Sequence, residues 1–570
     1  MSLAGFLINM MTKRSSGRFE QATGDPGRVQ TEKLFAMLRK NADTEYGRKY
    51  GFASIRTLAD FQKQVPVITY DDIREDMDRV VDGAAGVFTA EKPVMFAQTS
   101  GTTGTPKYIP VTPTCQGREH KDVMRTWTYH AKQAHPDIFD GKVVSLVSPA
   151  IEGHTSSGVP YGSTSGSMYK TMPGIIRKAY SIPYDAFEIE DYNAKYYTIM
   201  RISLAHDIRF LATANPSSIL KMCEKASEYG DDIIRDIHDG TLCESVAIEP
   251  SIRKIIAPQL KPNPNRARQL ESIRQRRGGS LLPADYWPAL SLIGCWKGGT
   301  VGHYLKKFPE WFNPDGRRDI PVRDWGYLSS EARGSIPLSD EGSQGVLTIA
   351  TNFFEFVAVD DLEANRDNPS AWEFLTVSDV EVGKQYYIFV TTTGGLYRYD
   401  INDVIQVTGH YNRTPQIVFQ RKGRGMTNIT GEKVSVNQII SAVQRASLAT
   451  GIAPNHFKAE ADLKNSRYLF RVEFMTQTDP EKQKTYLEEI DRHLKAVNIE
   501  YKAKRESHRL ASPVLHVMRE GWYERERKKQ VESGMRMFQA KTQLLTPDKL
   551  VTQVIVNDLE AIVELGETVS

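Results

Sequence analysis

The stretch Gln98-Thr99-Ser100-Gly101-Thr102-Thr103-Gly104-Thr105-Pro106-Lys107-Tyr108-Ile109-Pro110 constrains the chain more than any other. Hydroxyl side chains and glycines crowd together and run up to a lysine. Glycine lets backbone N–H groups turn toward an anion, hydroxyls donate to phosphate oxygens, and lysine adds a point charge. The spacing GxxxxGK[ST] of a Walker A loop is absent, and so is its strand-to-helix setting. The apolar runs Val94–Ala97 and Tyr108–Val111 on either side read as strands. The loop therefore joins two strands. A Ser/Thr/Gly-rich hairpin turn is the plain alternative, but so dense a set of phosphate-compatible groups favours an anion cradle.

The rest of the chain supplies an α/β frame for such a loop. Strand-like runs include Val143–Val147, Phe210–Ala212, Leu290–Ile293, Gly345–Ile349, Phe353–Val357 and Tyr386–Val390. Helical patterns lie between several of them, such as Gln30–Asn41 and Pro216–Glu228, the latter with proline in its first turn. This alternation predicts an α/β protein. A polar, Gly-containing stretch, Gln420 to Gly425, follows the strand-like Ile417–Phe419. Beyond it come a helix (Val436–Ala449), a strand (Tyr468–Phe474), a helix (Pro480–Ala496), a strand (Val514–Val517) and a helix (Tyr523–Glu532). The expected partition is a large N-terminal domain, 1–420, and a small α+β C-terminal domain, 421–570.

Composition removes several function classes. With 73 Lys+Arg against 70 Asp+Glu the net charge is +3, which gives no support to a nucleic-acid binder. No apolar run reaches the length of a membrane span. The apolar start, Met1–Met11, carries its basic residues, Lys13 and Arg14, on the wrong side for a cleavable signal, so a packed helix is expected. The cysteines Cys115, Cys223, Cys243 and Cys295 are scattered without CxxC spacing, which suits a reducing compartment such as the cytoplasm.

Four further stretches carry chemistry. Trp325-Gly326-Tyr327-Leu328-Ser329-Ser330-Glu331 offers an aromatic face for a base, a hydroxyl for a phosphate and a carboxylate for Mg²⁺, a hard ion that prefers oxygen. Leu396-Tyr397-Arg398-Tyr399-Asp400-Ile401-Asn402-Asp403 holds two carboxylates, either of which can accept from ribose hydroxyls. Phe419-Gln420-Arg421-Lys422-Gly423-Arg424 is basic at the domain boundary, and Phe538-Gln539-Ala540-Lys541 places a lysine near the end of the chain.

Thr99 to Lys107 resembles the phosphate loop of the adenylate-forming superfamily. Asn41–Gly47, Val65-Pro66-Val67 with Tyr70, and Tyr108-Ile109-Pro110 are similar to the Gretchen Hagen family of auxin-responsive acyl-acid amido synthetases and its bacterial relatives. The likeness runs from about residue 30 almost to the end. It implies a large multi-sheet N-terminal adenylation domain and a mobile C-terminal cap. The loop itself departs from plant members, with one residue fewer and Thr105-Pro106 before Lys107.

By this resemblance Thr99, Ser100, Gly101, Thr102, Thr103 and Lys107 cradle the phosphates of ATP. Tyr327 stacks on adenine, Ser330 reaches the α-phosphate and Glu331 holds Mg²⁺. Aligning on Tyr399 makes Asp403 the ribose acid, with Asn402 in place of the usual glycine at a turn that asparagine tolerates. Asp400, with an ion pair to Arg398 as its plain role, is the rival. Arg421 is the hinge-side basic contact, and Lys541 enters the site from the small domain. The implied reaction activates a carboxylic acid as an acyl-adenylate and transfers the acyl group to an amine, often of an amino acid. A thiol or hydroxyl acceptor, or a non-catalytic nucleotide-binding regulator, are the alternatives.

Other features read as ordinary structure. Arg266–Arg277 reads as a solvated helix face, His154 as a loop histidine, Trp296 and Phe353–Phe356 as core, and Lys504 as a surface lysine.

Overall fold

The structure, a computed structural model, describes residues 3–99, 107–298, 304–365, 368–423, 425–523, 525–526, 545–546 and 558–566. The chain divides into two compact units, one of residues 1–98 and 108–420, the other of residues 99–107 and 421–570.

Three sheets organise the first unit. Lys142–Leu146, Ile208–Thr213, Leu292–Gly294 and Val322–Arg323 pair in parallel in that order. Parallel neighbours need long crossovers, and helices such as Tyr192–Ser203 and Pro216–Glu228 supply them. Asn215 caps the second of these helices through the Ser217 N–H at 2.9 Å, and Pro216 occupies its first turn.

A six-stranded sheet runs Phe353–Ala358, Gln385–Thr391, Tyr399–Tyr411, Thr414–Lys422, Gly345–Leu347, Ser335–Ile336. The third sheet carries the loop's two flanks side by side, Lys107–Val111 next to Met95–Thr99, followed by Pro160–Gly162 and Gly153–His154. The N-terminal segment is the helix Leu3–Thr23. It buries Ile8 and Phe19 in a cluster with Trp127, and Arg18 pairs with Asp122 at 2.7 Å.

The second unit lays helices Val436–Thr450 and Pro480–Val497 on a five-stranded sheet, with Ile439, Leu487, Ile490, Phe470 and Val472 between the layers. Ser435 and Gln438 form a reciprocal capping box, and Gly451 ends that helix at φ 70°, a conformation glycine adopts without strain.

The strand runs foreseen in the sequence are present within a few residues, and the mixed α/β class holds. Several elements differ, among them the helix Ile499–Glu506 and the strand Leu559–Glu564, neither of which was expected. Pro454–Asp462 is a strand that was not anticipated. The strand Thr414–Lys422 continues through the stretch read as a polar linker. Tyr399–Tyr411 is a 13-residue strand where only a motif was seen. The expected helix at Tyr523–Glu532 lies largely outside the described residues.

Two charged features also depart from expectation. Arg266 does not sit on a solvated face: it donates to the carbonyls of Leu204 (2.8 Å) and Tyr286 (2.6 Å) and staples its helix to the core. Lys504 is not a surface lysine either. Its side chain is 14% exposed, and burial draws its pKa down to about 8. The four cysteines are free, and His154 is exposed on its short strand. Among the described residues no helix is long and apolar enough to cross a membrane.

One buried ion pair fixes the edge of the large sheet. Arg398 Nε donates to Glu355 at 3.0 Å, with the two side chains 4% and 1% exposed. The same guanidinium donates to the carbonyls of Gln62 (2.8 Å) and Val65 (3.0 Å) and lies 4.1 Å from the centre of the Phe374 ring. Removing one partner of such a pair strands the other charge in the core and costs about 3–5 kcal/mol. Glu355→Ala is therefore expected to lower the unfolding free energy by that order in denaturant titration. A change below about 1 kcal/mol, typical of an exposed pair, would contradict this role.

Candidate active site

The chain between Gly326 and Ser335 folds back as a tight hairpin. Leu328 bridges Arg333 in antiparallel fashion, the Ser329 N–H donates to the Ala332 carbonyl at 2.9 Å, and the Ala332 N–H donates to the Ser329 hydroxyl at 3.0 Å. Ser330 and Glu331 occupy the tip, both half-buried. At the base, Gly326 has φ 84°, and a Cβ there would stand 2.4 Å from the Ser335 carbonyl oxygen, so only glycine fits.

Asp324 anchors this base. Its carboxylate is 3% exposed and accepts from the backbone N–H groups of Lys297, Gly298 and Gly326. Burial raises its pKa to about 6 against the lowering effect of those donors.

The ring of Tyr327 is thereby fixed. Its hydroxyl donates to Asp403 Oδ2 at 2.7 Å, across 76 residues of sequence. The ring of Phe419 lies parallel to it, centres 6.2 Å apart and planes 7° from coplanar. Burial, then the charge of Asp403 and the hydrogen bond to it, then Glu331, hold the Tyr327 phenol well above its usual range. Glu331 and Asp400 likewise raise Tyr399, after burial. Tyr327, Glu331, Tyr399 and Asp403 thus share one electrostatic neighbourhood.

A bulge delivers Asp403. Across the strand pair, Tyr387 faces Val404 and Phe389 faces Asp400, so Ile388 alone opposes Ile401–Asp403. Asn402 takes φ 57° there, as the sequence led one to expect of an asparagine at that turn. Asp403 is 2% exposed, whereas Asp400 is half-buried and accepts from the Asn402 N–H at 2.6 Å. The ion pair of Arg398 is made with Glu355, not in the Asp400 partnership considered above.

The two stretches singled out near the N-terminus brace this region. The Ile68 N–H donates to the Arg398 carbonyl and the Asp400 N–H to the Ile68 carbonyl (3.3 and 2.8 Å), while the Tyr70 hydroxyl accepts from the Tyr108 N–H at 2.9 Å. One short segment thus ties the Asp403 motif to the strand leaving the Ser/Thr/Gly loop. Tyr46 stacks on Tyr397 with centres 5.1 Å apart, and a Cβ on Gly47 would meet the Asn41 carbonyl at 2.1 Å.

Of the residues foreseen, Tyr327, Ser330, Glu331 and Asp403 come together. Lys107 opens its strand, half-buried, and Thr99 closes the neighbouring one. Arg421 lies on Thr414–Lys422, with Nη1 donating to the Lys422 carbonyl at 3.3 Å. Ser100, Gly101, Thr102, Thr103 and Lys541 lie outside the described residues. Sequence reasoning missed Asp324 and Phe419. The acid directly before Trp-Gly was a legible signal, whereas an aromatic ending a strand reads as core. Among the described residues no group of three or more His, Cys, Asp or Glu is arranged to hold a metal ion.

Comparison with known proteins follows the same outline. The chain matches the GH3 family N-terminal domain over residues 15–316, its central domain over 345–422 and its C-terminal domain over 437–549. It is 26% identical over 450 residues to an indole-3-acetic acid-amido synthetase of Arabidopsis thaliana, covering 76% of this chain and 73% of the relative. It is 25% identical over 445 residues to a jasmonoyl–L-amino acid synthetase of Nicotiana attenuata, covering 75% of each. The solved structure of an acyl acid amido synthetase in complex with 2,4-DB superposes with a TM-score of 0.64 at 20% identity over 97% of both chains, a likeness of fold. With family domains matched along nearly its whole length, this chain belongs to the GH3 family.

Proposed function

We propose that this protein uses ATP to convert a carboxylic acid into an acyl-adenylate and passes the acyl group to the amine of an amino acid. The observation that carries the reading is the Tyr327–Asp403 hydrogen bond, which unites two motifs distant in sequence beside the Glu331 carboxylate. The named activities of the family relatives agree with it.

A carboxylate is a poor electrophile. Its oxygen attacks the α-phosphorus, the bond from that phosphorus to the bridging oxygen breaks, and pyrophosphate leaves with the electron pair. The amine then attacks the acyl carbon, AMP departs, and the amine proton passes to solvent. In the first step the chain must hold nucleotide and acid in line and offset charge on the α-phosphate. The face of Tyr327 receives the adenine and Asp403 accepts from the ribose hydroxyls. Thr99–Thr103 and Lys107 bind the phosphates, Ser330 reaches the α-phosphate and Arg421 contacts the ribose or phosphates. Lys541, carried by the part of the chain after residue 420, serves as the cation of the adenylation step.

A single half-buried carboxylate at a turn tip fits Mg²⁺, which commonly takes one or two protein carboxylates and completes its shell with phosphate oxygens and water. When bound, the ion neutralises phosphate charge. Glu331 would hold it.

Pyrophosphate exchange into ATP, screened over aryl, indolyl and fatty acids, tests the reading, followed by amine-dependent AMP release. Glu331→Gln should lower exchange about 10²–10³-fold with unchanged thermal unfolding; an unchanged rate removes it from the site. Asp403→Ala should raise the KM for ATP far more than Asp400→Ala, and the opposite order would make Asp400 the ribose acid. Lys541→Ala should cripple adenylate formation yet spare acyl transfer from a synthetic acyl-adenylate, while Lys484, exposed on the helix Pro480–Val497, should tolerate alanine in both steps. Equal loss in both half-reactions would make Lys541 structural.

A further inference from the structure

The parallel sheet carries different residues at its two ends. Leu292–Gly294 and Val322–Arg323 run side by side in one direction, Ile293 opposite Val322 and Gly294 opposite Arg323. Beyond their carboxyl ends stand Lys297, Gly298 and Asp324, which fix the base of the Tyr327 hairpin. Before their amino ends stand Leu290 and Ile320, and these line a cavity of about 150 Å³. At about 3.3 Å per residue, the path from Ile320 to Asp324 is about 13 Å long. The cavity is therefore no extension of the hairpin site.

Part of its wall is apolar. Trp287, Leu290 and Phe312 line it and are 2%, 1% and 4% exposed. The indole Nε1 of Trp287 is buried and has no hydrogen-bond partner among the described residues, whereas a buried indole N–H ordinarily finds an acceptor.

The rest of the wall is charged, and the charges do not cancel. Arg277 forks onto Asp285 at 2.9 and 3.2 Å and onto Asp315 at 3.0 and 2.7 Å, so both carboxylates are taken by one guanidinium. Arg318 donates to the carbonyls of Pro288 (2.9 Å) and Leu290 (2.8 Å), and none of the described carboxylates pairs with it. Arg317 is exposed and makes neither a hydrogen bond nor an ion pair among the described residues. The lining thus keeps one positive charge in excess. A volume of this size takes a single benzene ring, and the surplus cation and the spare N–H both call for acceptor oxygens.

We propose that this cavity is a second ligand site, for a compact aryl carboxylate such as benzoate, with its ring against Trp287, Leu290 and Phe312 and its carboxylate toward Arg317. A neutral ring would leave the surplus charge unanswered, and an inorganic anion would leave the apolar wall uncovered. The assignment stands independently of the adenylation reading.

The test reads the cavity wall itself. The full chain is labelled with fluorotryptophan, and the fluorine resonance of Trp287 is assigned by its loss in Trp287→Phe. Benzoate alone should move that resonance saturably, and benzamide, equal in size and uncharged, should not. Arg317→Glu should raise the benzoate Kd about 3- to 10-fold, the scale of an exposed ion pair lost and reversed, and added salt should raise it in the wild type. Ala284→Leu, which fills the cavity from its wall, should abolish the shift. Independently of any variant, a crystal soaked in para-bromobenzoate should place bromine against Phe312 and Trp287. A Trp287 resonance unmoved by benzoate, moved equally by benzamide or still moved in Ala284→Leu would overturn the proposal. So would a Kd unchanged in Arg317→Glu, or bromine found only beside the Tyr327 hairpin.

Discussion

The Arg398–Glu355 ion pair is the contact on which the part of the large unit around Asp403 depends. Arg398 itself adopts φ 47°, an unfavourable conformation for a side chain of its size, and is held there by three hydrogen bonds from Nε and Nη1 of its guanidinium. Through Glu355 it is bound to the edge strand, and through the carbonyls of Gln62 and Val65 to the segment that pairs with Asp400. The backbone emerging from that clamp runs directly into the bulge that buries Asp403. The rigidity of the buried Asp403 carboxylate is thus borrowed from a charge pair five residues upstream.

The neighbouring machinery follows the same logic. Asp324 spends its carboxylate entirely on backbone N–H groups, so that Gly326 and Tyr327 cannot drift relative to Lys297 and Gly298. Tyr70 does for the strand at Tyr108 what Asp324 does for Tyr327. Hydrogen bonds to buried backbone hold the residues proposed to meet the ligand. Preorganisation of this kind lowers the cost of ordering the site when substrate arrives.

Much of this was legible in the sequence for a physical reason. Strands buried on both faces write continuous apolar runs, so Phe353–Ala358 and Gln385–Thr391 were visible. The Asn402 turn was visible because few residues tolerate its φ. Pro454–Asp462 was not, because its row of His456, Lys458, Glu460 and Asp462, polar although its last two members are buried, breaks the apolar signal. Arg333 was invisible for a different reason: an arginine reads as a surface residue until the fold shows it buried. Lys504 and Arg266 misled in the same direction, since long basic side chains hide their burial behind an exposed-looking composition.

The bulge at Asn402 sets a rule of parity for this part of the molecule. Three residues are spent opposite one, an excess of two, and so Tyr399, Ile401, Ile405 and Val407 still reach the same core on both sides of it. Side chains alternate along a strand, so removing one residue here would turn every downstream position over and aim Thr408 inward in place of Val407. Removing two would restore the alternation and abolish the turn that carries Asp403. Length variation among descendants of this chain is therefore confined at this point to even steps, and the shortest such step yields a well-formed sheet without that turn.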